Sequence, residues 1–171
     1  MKRKQRITKI ALHALLILVV YVFQGMVFPY LRLAGLSPLL LPLVSTGFAV
    51  QEGRQVGGIT GIFAGILCDL SLNEPVGLFT VVLTFTGLAV GELADTVITR
   101  RFITYLMFCV GVLVICAIAQ VTPLIYRVLI YQVSIPPGEL FWTAIWQTVY
   151  SLIFSIPIWV FIKSIVKRTV R

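Results

Sequence analysis

Apolar runs about as long as a bilayer is thick recur through this chain, and nothing else in it limits the fold so strongly. A spanning helix needs about 20 mostly apolar residues. Six stretches meet or approach that length: residues 7–28, 38–50, 56–72, 76–98, 102–121 and 140–165. Composition agrees. Of 171 residues, 59% are hydrophobic and 12% charged, where a soluble domain has about 45–50% and about 25%. So small a water-soluble particle could not hide that much apolar surface, so lipid is the solvent. Disordered chains, secreted disulfide scaffolds and ordinary cytosolic enzymes are excluded. The expectation is one all-α integral membrane domain over residues 1–171 with six transmembrane helices. The second stretch is short and opens on Ser37-Pro38, an N-cap followed by proline at the first helical position. It is either a short span or a re-entrant helix buried by its neighbours.

The net charge of +8 reads as topology rather than as contact with nucleic acid, because Lys and Arg are retained on the cytoplasmic side. With six spans and the N-terminus inside, the inner face receives Lys2, Arg3, Lys4, Arg6, Lys9, Arg54, Arg100, Arg101, Lys163, Lys167, Arg168 and Arg171. The outer face receives only Arg32 and Arg127. Both termini are therefore expected in the cytoplasm of a multi-pass inner-membrane protein. The basic start followed by an apolar run is too long for a usual signal sequence, and no small-residue cleavage site follows Phe28-Pro29, so it reads as a retained anchor. Trp142 and Trp146 at one end of the last span, and Trp159 near the other, suit membrane interfaces. Residues 122–139 form the longest outer connection. Their apolar part, 123–133, is either a short surface helix or flap, or an extension of the fifth helix ended by Pro136-Pro137-Gly138.

The third and fourth stretches carry one pattern twice: Gly61-x-x-x-Gly65-x-x-x-Asp69 and Gly87-x-x-x-Gly91-x-x-x-Asp95. Residues four apart share a helix face, and Gly57 extends the first stripe. Glycine lets backbones approach closely, which is how helices associate in lipid. These glycines are expected at tightly packed surfaces, in the bundle centre or against a partner helix. Asp69 lies about 20 Å along its helix at 1.5 Å per residue, near a helix C-terminus that disfavours negative charge. It needs a partner: Asn73, the backbone amides of the turn into the fourth helix, or a group on another protein. Capping and partner binding both fit. Pro75 and Gly77 shape the adjacent turn. Glu52, Arg54, Glu92, Asp95, Arg100 and Arg101 are expected at one inner level, as an ion-pair layer or as solvated headgroup-level charges.

The remaining polar residues read as structural. His13, the lone histidine, fits a hydrogen-bonded or interfacial position. Cys68, Cys109 and Cys116 all fall within spans, and neither a metal site nor a disulfide framework is suggested. Gln24, Gln120 and Gln147 are candidates to cross-bond helices. Six scattered acids, a single histidine and no Walker A loop give no protease dyad, metal cluster or phosphate loop. The reading is of a non-enzyme without cofactor or metal.

The run Gly61-Ile-Phe-Ala-Gly65-Ile-Leu-Cys-Asp69-Leu followed by Pro75-Val-Gly77-Leu resembles the bacterial rod shape-determining MreD family. So do the basic start, Gln24 in the first span and the second-span run Pro38-Leu-Leu-Leu-Pro42. The resemblance covers essentially the whole chain. It implies a role in the machinery that elongates peptidoglycan in rod-shaped cells, with the single-span MreC as closest partner and MreB, RodA and a penicillin-binding transpeptidase as others. It also implies a bundle like the membrane substrate-binding subunits of energy-coupling-factor vitamin transporters.

Two functions follow as expectations. The first is a membrane scaffold and regulator of cell-wall elongation that holds partner helices in glycine-lined grooves, with Gly61, Gly65 and Asp69 central. The alternative is a small-molecule, vitamin-like binding subunit for uptake, with residues 122–139 as an outer flap and Asp69 near the mouth of a pocket.

Overall fold

The computed structural model describes residues 3–27, 38–72, 77–96, 102–131 and 137–170. Among them there are seven helices and no strand: α1 (Arg3–Val27), α2 (Leu40–Glu52), α3 (Arg54–Leu72), α4 (Leu78–Thr96), α5 (Phe102–Tyr131), α6 (Pro137–Ile153) and α7 (Ser155–Val170). Two helices are long and apolar enough on their own to cross a membrane, within Leu78–Thr96 and Phe102–Gln120. The α6–α7 pair makes a third candidate if its two pieces are one span.

At the far end of the chain one sequence expectation changes and one open alternative is settled. The last stretch is not one rod; it bends by 44° between Ile153 and Ser155. Pro157 is the physical cause, because it has no amide to donate to the Ile153 carbonyl and its ring disfavours a straight helix there. The chain crosses the break on a tightened turn, with the Phe154 amide bonded to the Ser151 carbonyl at 3.1 Å. Residues 123–131 simply continue α5, so of the two readings of the long connection the helix extension is the one observed. Residues 132–136 lie outside the described residues.

The core is built around α2. This helix has 13 residues and is buried from Leu40 to Val50, wrapped by α1, α3, α4, α5 and α7. At 1.5 Å per residue it is about 20 Å long, short of a bilayer core of about 30 Å. Its first amides therefore open inside the protein, where an unpaired backbone donor is costly. Neighbouring helices supply the acceptors. The Leu39 amide donates to Ser151 Oγ at 3.0 Å, and the Leu40 amide to Gln24 Oε1 at 3.3 Å. The Ser37-Pro38 start is thus corrected: Leu39 is the N-cap, its own side chain caps nothing, and Ser37 lies outside the described residues. Hydroxyls elsewhere are satisfied locally, as when Thr46, Thr84 and Thr86 donate to the carbonyls four residues before them, a usual solution in helices.

Aromatic packing closes one side of α2. Trp159 stacks on Tyr105 with ring centroids 4.8 Å apart, and the Tyr105 hydroxyl donates to the Leu43 carbonyl at 3.3 Å. Trp159 is only 7% exposed, so it is a core residue and not the interfacial anchor its position suggested. Trp142 and Trp146, by contrast, are exposed and meet edge to face.

Candidate functional site

The closest helix–helix approach belongs to α3 and α4, and the two glycine stripes are its cause. They face each other in antiparallel register. A Cβ on Gly57 would stand 2.5 Å from the Gly87 carbonyl oxygen. One on Gly61 would collide with the Leu83 carbonyl, one on Gly65 with the Thr80 backbone, and one on Gly91 would stand 2.5 Å from Arg54 Cα. Each step of four along α3 meets a step of four backward along α4. The expected groove for a partner helix is therefore corrected: the chain fills it with its own backbone, and these glycines hold α3 to α4.

Each aspartate of the repeated pattern sits at the end of one helix of this pair and reaches the start of the other. Asp69 is 5% exposed. Its Oδ1 accepts from the Phe79 amide at 2.8 Å. Its Oδ2 accepts from the Gly77 amide at 3.0 Å, the Thr80 amide at 3.1 Å and the Thr80 hydroxyl at 2.7 Å. These are the first amides of α4, which precede the first intrahelical bonds and would otherwise be orphaned. Gly77, just before α4, has φ +104° and no side chain to cap with, so Asp69 supplies the missing cap from α3. A carboxylate at that position also meets the positive end of the α4 dipole, which offsets the cost of standing near the end of α3. At the opposite end Asp95 of α4 accepts from the Arg54 amide, the first of α3, at 3.4 Å. The preceding residue is again a positive-φ glycine, Gly53 (φ +86°), and a Cβ there would strike the Asp95 carboxylate. The pair is capped reciprocally, tightly at the Asp69 end and loosely at the exposed Asp95 end.

The expected inner layer is realised in part. Arg54 Nη1 lies 3.1 Å from Glu92 Oε2 in an exposed ion pair. Glu52 faces α1. Its side chain is 3% exposed and lies 3.2 Å from His13 Nε2 on α1, an approach without hydrogen-bond geometry, while the His13 ring packs at a tilt against Phe48 with centroids 4.2 Å apart. Sequence reasoning missed this pair. Its signal was a solitary histidine inside an apolar run together with an acid closing a short apolar helix. Arg100, Arg101 and Pro75 lie outside the described residues. Beside His13 and Glu52 is a cavity of about 70 Å³, lined also by Ala14, Ile17, Val56, Ile59, Thr60 and Phe63. That is well under the roughly 300 Å³ at which small-molecule pockets begin. Of the three glutamines, Gln24 does cross-bond helices, as an acceptor at the start of α2. Ser151, its companion there, carried no sequence signal. The three cysteines are free and buried.

Chemically, the four carboxylates whose side chains are described hold structure: Asp69 and Asp95 at helix starts, Glu52 against His13, Glu92 against Arg54. Among the described residues no group of three or more His, Cys, Asp or Glu could hold a metal ion. No curated protein and no solved structure matches the chain. A family model described as rod shape-determining protein MreD matches residues 4–165. With nearly every residue inside that match, the chain belongs to the MreD family, membrane proteins of the rod-shape machinery that are not known as enzymes.

Proposed function

We propose that this protein is a non-enzymatic membrane scaffold and regulator of the elongation machinery that maintains rod shape, and that it binds MreC. The observation that carries the reading is the use of the described carboxylates, each of which pins one helix to another rather than converging on a reaction centre. A scaffold needs a surface of fixed shape, and reciprocal capping of a glycine-zipped pair provides it. MreB, RodA and a penicillin-binding transpeptidase are further partners on this reading. In the membrane the chain makes six crossings with both termini cytoplasmic, as an energy-coupling-factor subunit-like bundle. Support comes from the alternation of directions: α1 runs antiparallel to α2, α3 follows α2 through Gly53, and α4 is antiparallel to α3.

Asp69 acts in this reading by shaping the turn before α4 and not by touching the partner, because its acceptors are engaged within the chain. The test is co-purification with MreC. Asp69→Leu or Gly65→Leu is expected to reduce the MreC recovered with correctly inserted protein, while Leu18→Ala on the exposed face of α1 leaves it unchanged. Undiminished recovery with both turn and glycine variants refutes the scaffold reading. Native mass spectrometry of the purified protein separates it from uptake: a retained single-span protein supports the scaffold, and a stoichiometric vitamin-like ligand overturns it.

A further inference from the structure

The seam between α1 and α3 holds a ring nitrogen whose hydrogen-bonding capacity is unused. His13 is 6% exposed, and among the described residues its Nε2 has no hydrogen-bond partner. Glu52 Oε1 stands 3.2 Å away, outside hydrogen-bond geometry. In a neutral imidazole Nε2 is either a donor or an acceptor, and in the charged ring it is a donor. In every state it has a bond to offer. The ring lines the cavity of about 70 Å³, with Glu52 at the end of α2 and Thr60 on α3, so three polar side chains face one space. Thr60 spends its hydroxyl hydrogen on the Val56 and Gly57 carbonyls, at 2.8 and 3.2 Å, and keeps lone pairs with which to accept. Ile17, Val56, Ile59 and Phe63 make the rest of the wall apolar.

Such a space can stay dry, take hydrocarbon or take water. Dry or filled by an acyl chain, it sets Nε2 against apolar matter, and burying a polar group without a partner is costly. Water needs room of about 10–15 Å³ and two to four polar partners. The cavity exceeds that room, and His13, Glu52 and Thr60 supply the partners. Water also has a way in. Ala14, Ile59 and Phe63 are exposed at the edge of the cavity. Glu52 lies just before Arg54, whose ion pair with Glu92 is exposed.

We propose that the seam between α1 and α3 is a water-binding niche, in which water joins His13 Nε2 to the Glu52 carboxylate and the Thr60 hydroxyl and brings the imidazole into exchange with the aqueous phase at that end of the bundle. Water both donates and accepts, so it serves Nε2 in any protonation state. It also completes through a bridge the approach that ring and carboxylate do not make directly. The niche goes beyond the scaffold reading and does not depend on MreC. Its readout is water at one ring, so the two ideas fail separately.

The test uses the full-length protein in bilayers of phosphatidylglycerol and phosphatidylcholine. Its purification tag is free of histidine, so the lone His13 gives the only imidazole signal. Water-edited solid-state NMR reads how fast polarisation passes from water to each labelled site. The His13 ring is expected to receive it severalfold faster than the Val44 side chain, which is 0% exposed in α2. Thr60→Val removes one polar partner with little change of shape and should slow transfer to the ring by up to about fivefold, the ratio that one net hydrogen bond is worth. Ala14→Phe, which narrows the edge of the cavity, should slow it as well. Transfer to the ring as slow as to Val44 overturns the proposal. So does faster polarisation from lipid acyl protons than from water, since hydrocarbon then fills the niche. Equal transfer in the wild type and both variants also overturns it, because water then reaches the ring by another way. The wild-type comparison decides even where a variant does not insert.

Discussion

Replacing Asp69 by alanine removes the acceptor of four hydrogen bonds at once, and the structure allows the cost to be worked out. The donors are the amides of Gly77, Phe79 and Thr80 and the Thr80 hydroxyl, at 2.7–3.1 Å. Losing an N-cap costs about 0.5–2 kcal/mol. Here the site is buried, Phe79 is 0% exposed, and water does not reach its amide to replace the carboxylate. A buried donor left unsatisfied costs about 1–3 kcal/mol, and Gly77 has no side chain to take over. The Thr80 hydroxyl can rotate to a carbonyl one turn back, so it recovers part of its loss. The sum expected for Asp69→Ala is about 3–5 kcal/mol. At about 2–4 °C per kcal/mol for a chain of this length, the thermal midpoint in detergent falls by about 6–20 °C. Asp69→Asn keeps one carbonyl acceptor but turns an amide donor toward donors and loses the charge, so it should fall between wild type and alanine. Hydrogen exchange gives the local readout: the amides of Phe79 and Thr80 should lose protection while those of α5 keep it. Midpoints of both variants within about 0.5 kcal/mol of wild type, or unchanged exchange at Phe79 and Thr80, would refute the capping account.

Other consequences follow from the same contacts. Gly65→Ala drives a methyl into the Thr80 backbone and should cost about 1–3 kcal/mol, with a larger separation of α3 and α4 in spin-label distances; Gly111→Ala, where a methyl meets nothing, is the matched control. Gln24→Leu and Ser151→Ala each orphan one amide at the start of α2 and should each lower stability by about 1–3 kcal/mol in chemical denaturation, without moving α3 against α4. His13 Nε2 and Glu52 Oε1 approach to 3.2 Å without hydrogen-bond geometry, so removing either side chain alone should cost about 1–3 kcal/mol for the buried polar group left behind, whereas the double variant H13L/E52L should be less damaging than the two singles combined. A double-mutant cycle in detergent measures this coupling, and strict additivity would show that the 3.2 Å approach contributes nothing.

What could be read without coordinates was whatever lies within a single helix. Hydropathy identified lipid as the solvent and located the described helices to within a few residues, apart from the break at Phe154 and the ten further residues by which α5 continues to Tyr131. A step of four placed the glycines on shared faces, and their lack of side chains already demanded a backbone neighbour. The identity of that neighbour was not legible, because α3 turned to an MreC helix and α3 turned to α4 produce the same stripe.

The tertiary structure decided everything that depends on which segment arrives at a helix end. Leu39 finds its acceptor 112 residues away at Ser151, and Leu40 finds its own 16 residues back at Gln24. Neither spacing has a periodicity to detect. Asp69 and Asp95 were visible as acids at the ends of their own helices, where the dipole is unfavourable. Only the antiparallel closeness of α3 and α4 turned each into a cap for the other helix. The same holds for His13 and Glu52, two polar residues with no feature in common until α1 crosses α2. Apolar pattern is a property of a residue and its near neighbours in the chain. Satisfaction of a buried donor or charge belongs to a pair, and the second member is chosen by packing.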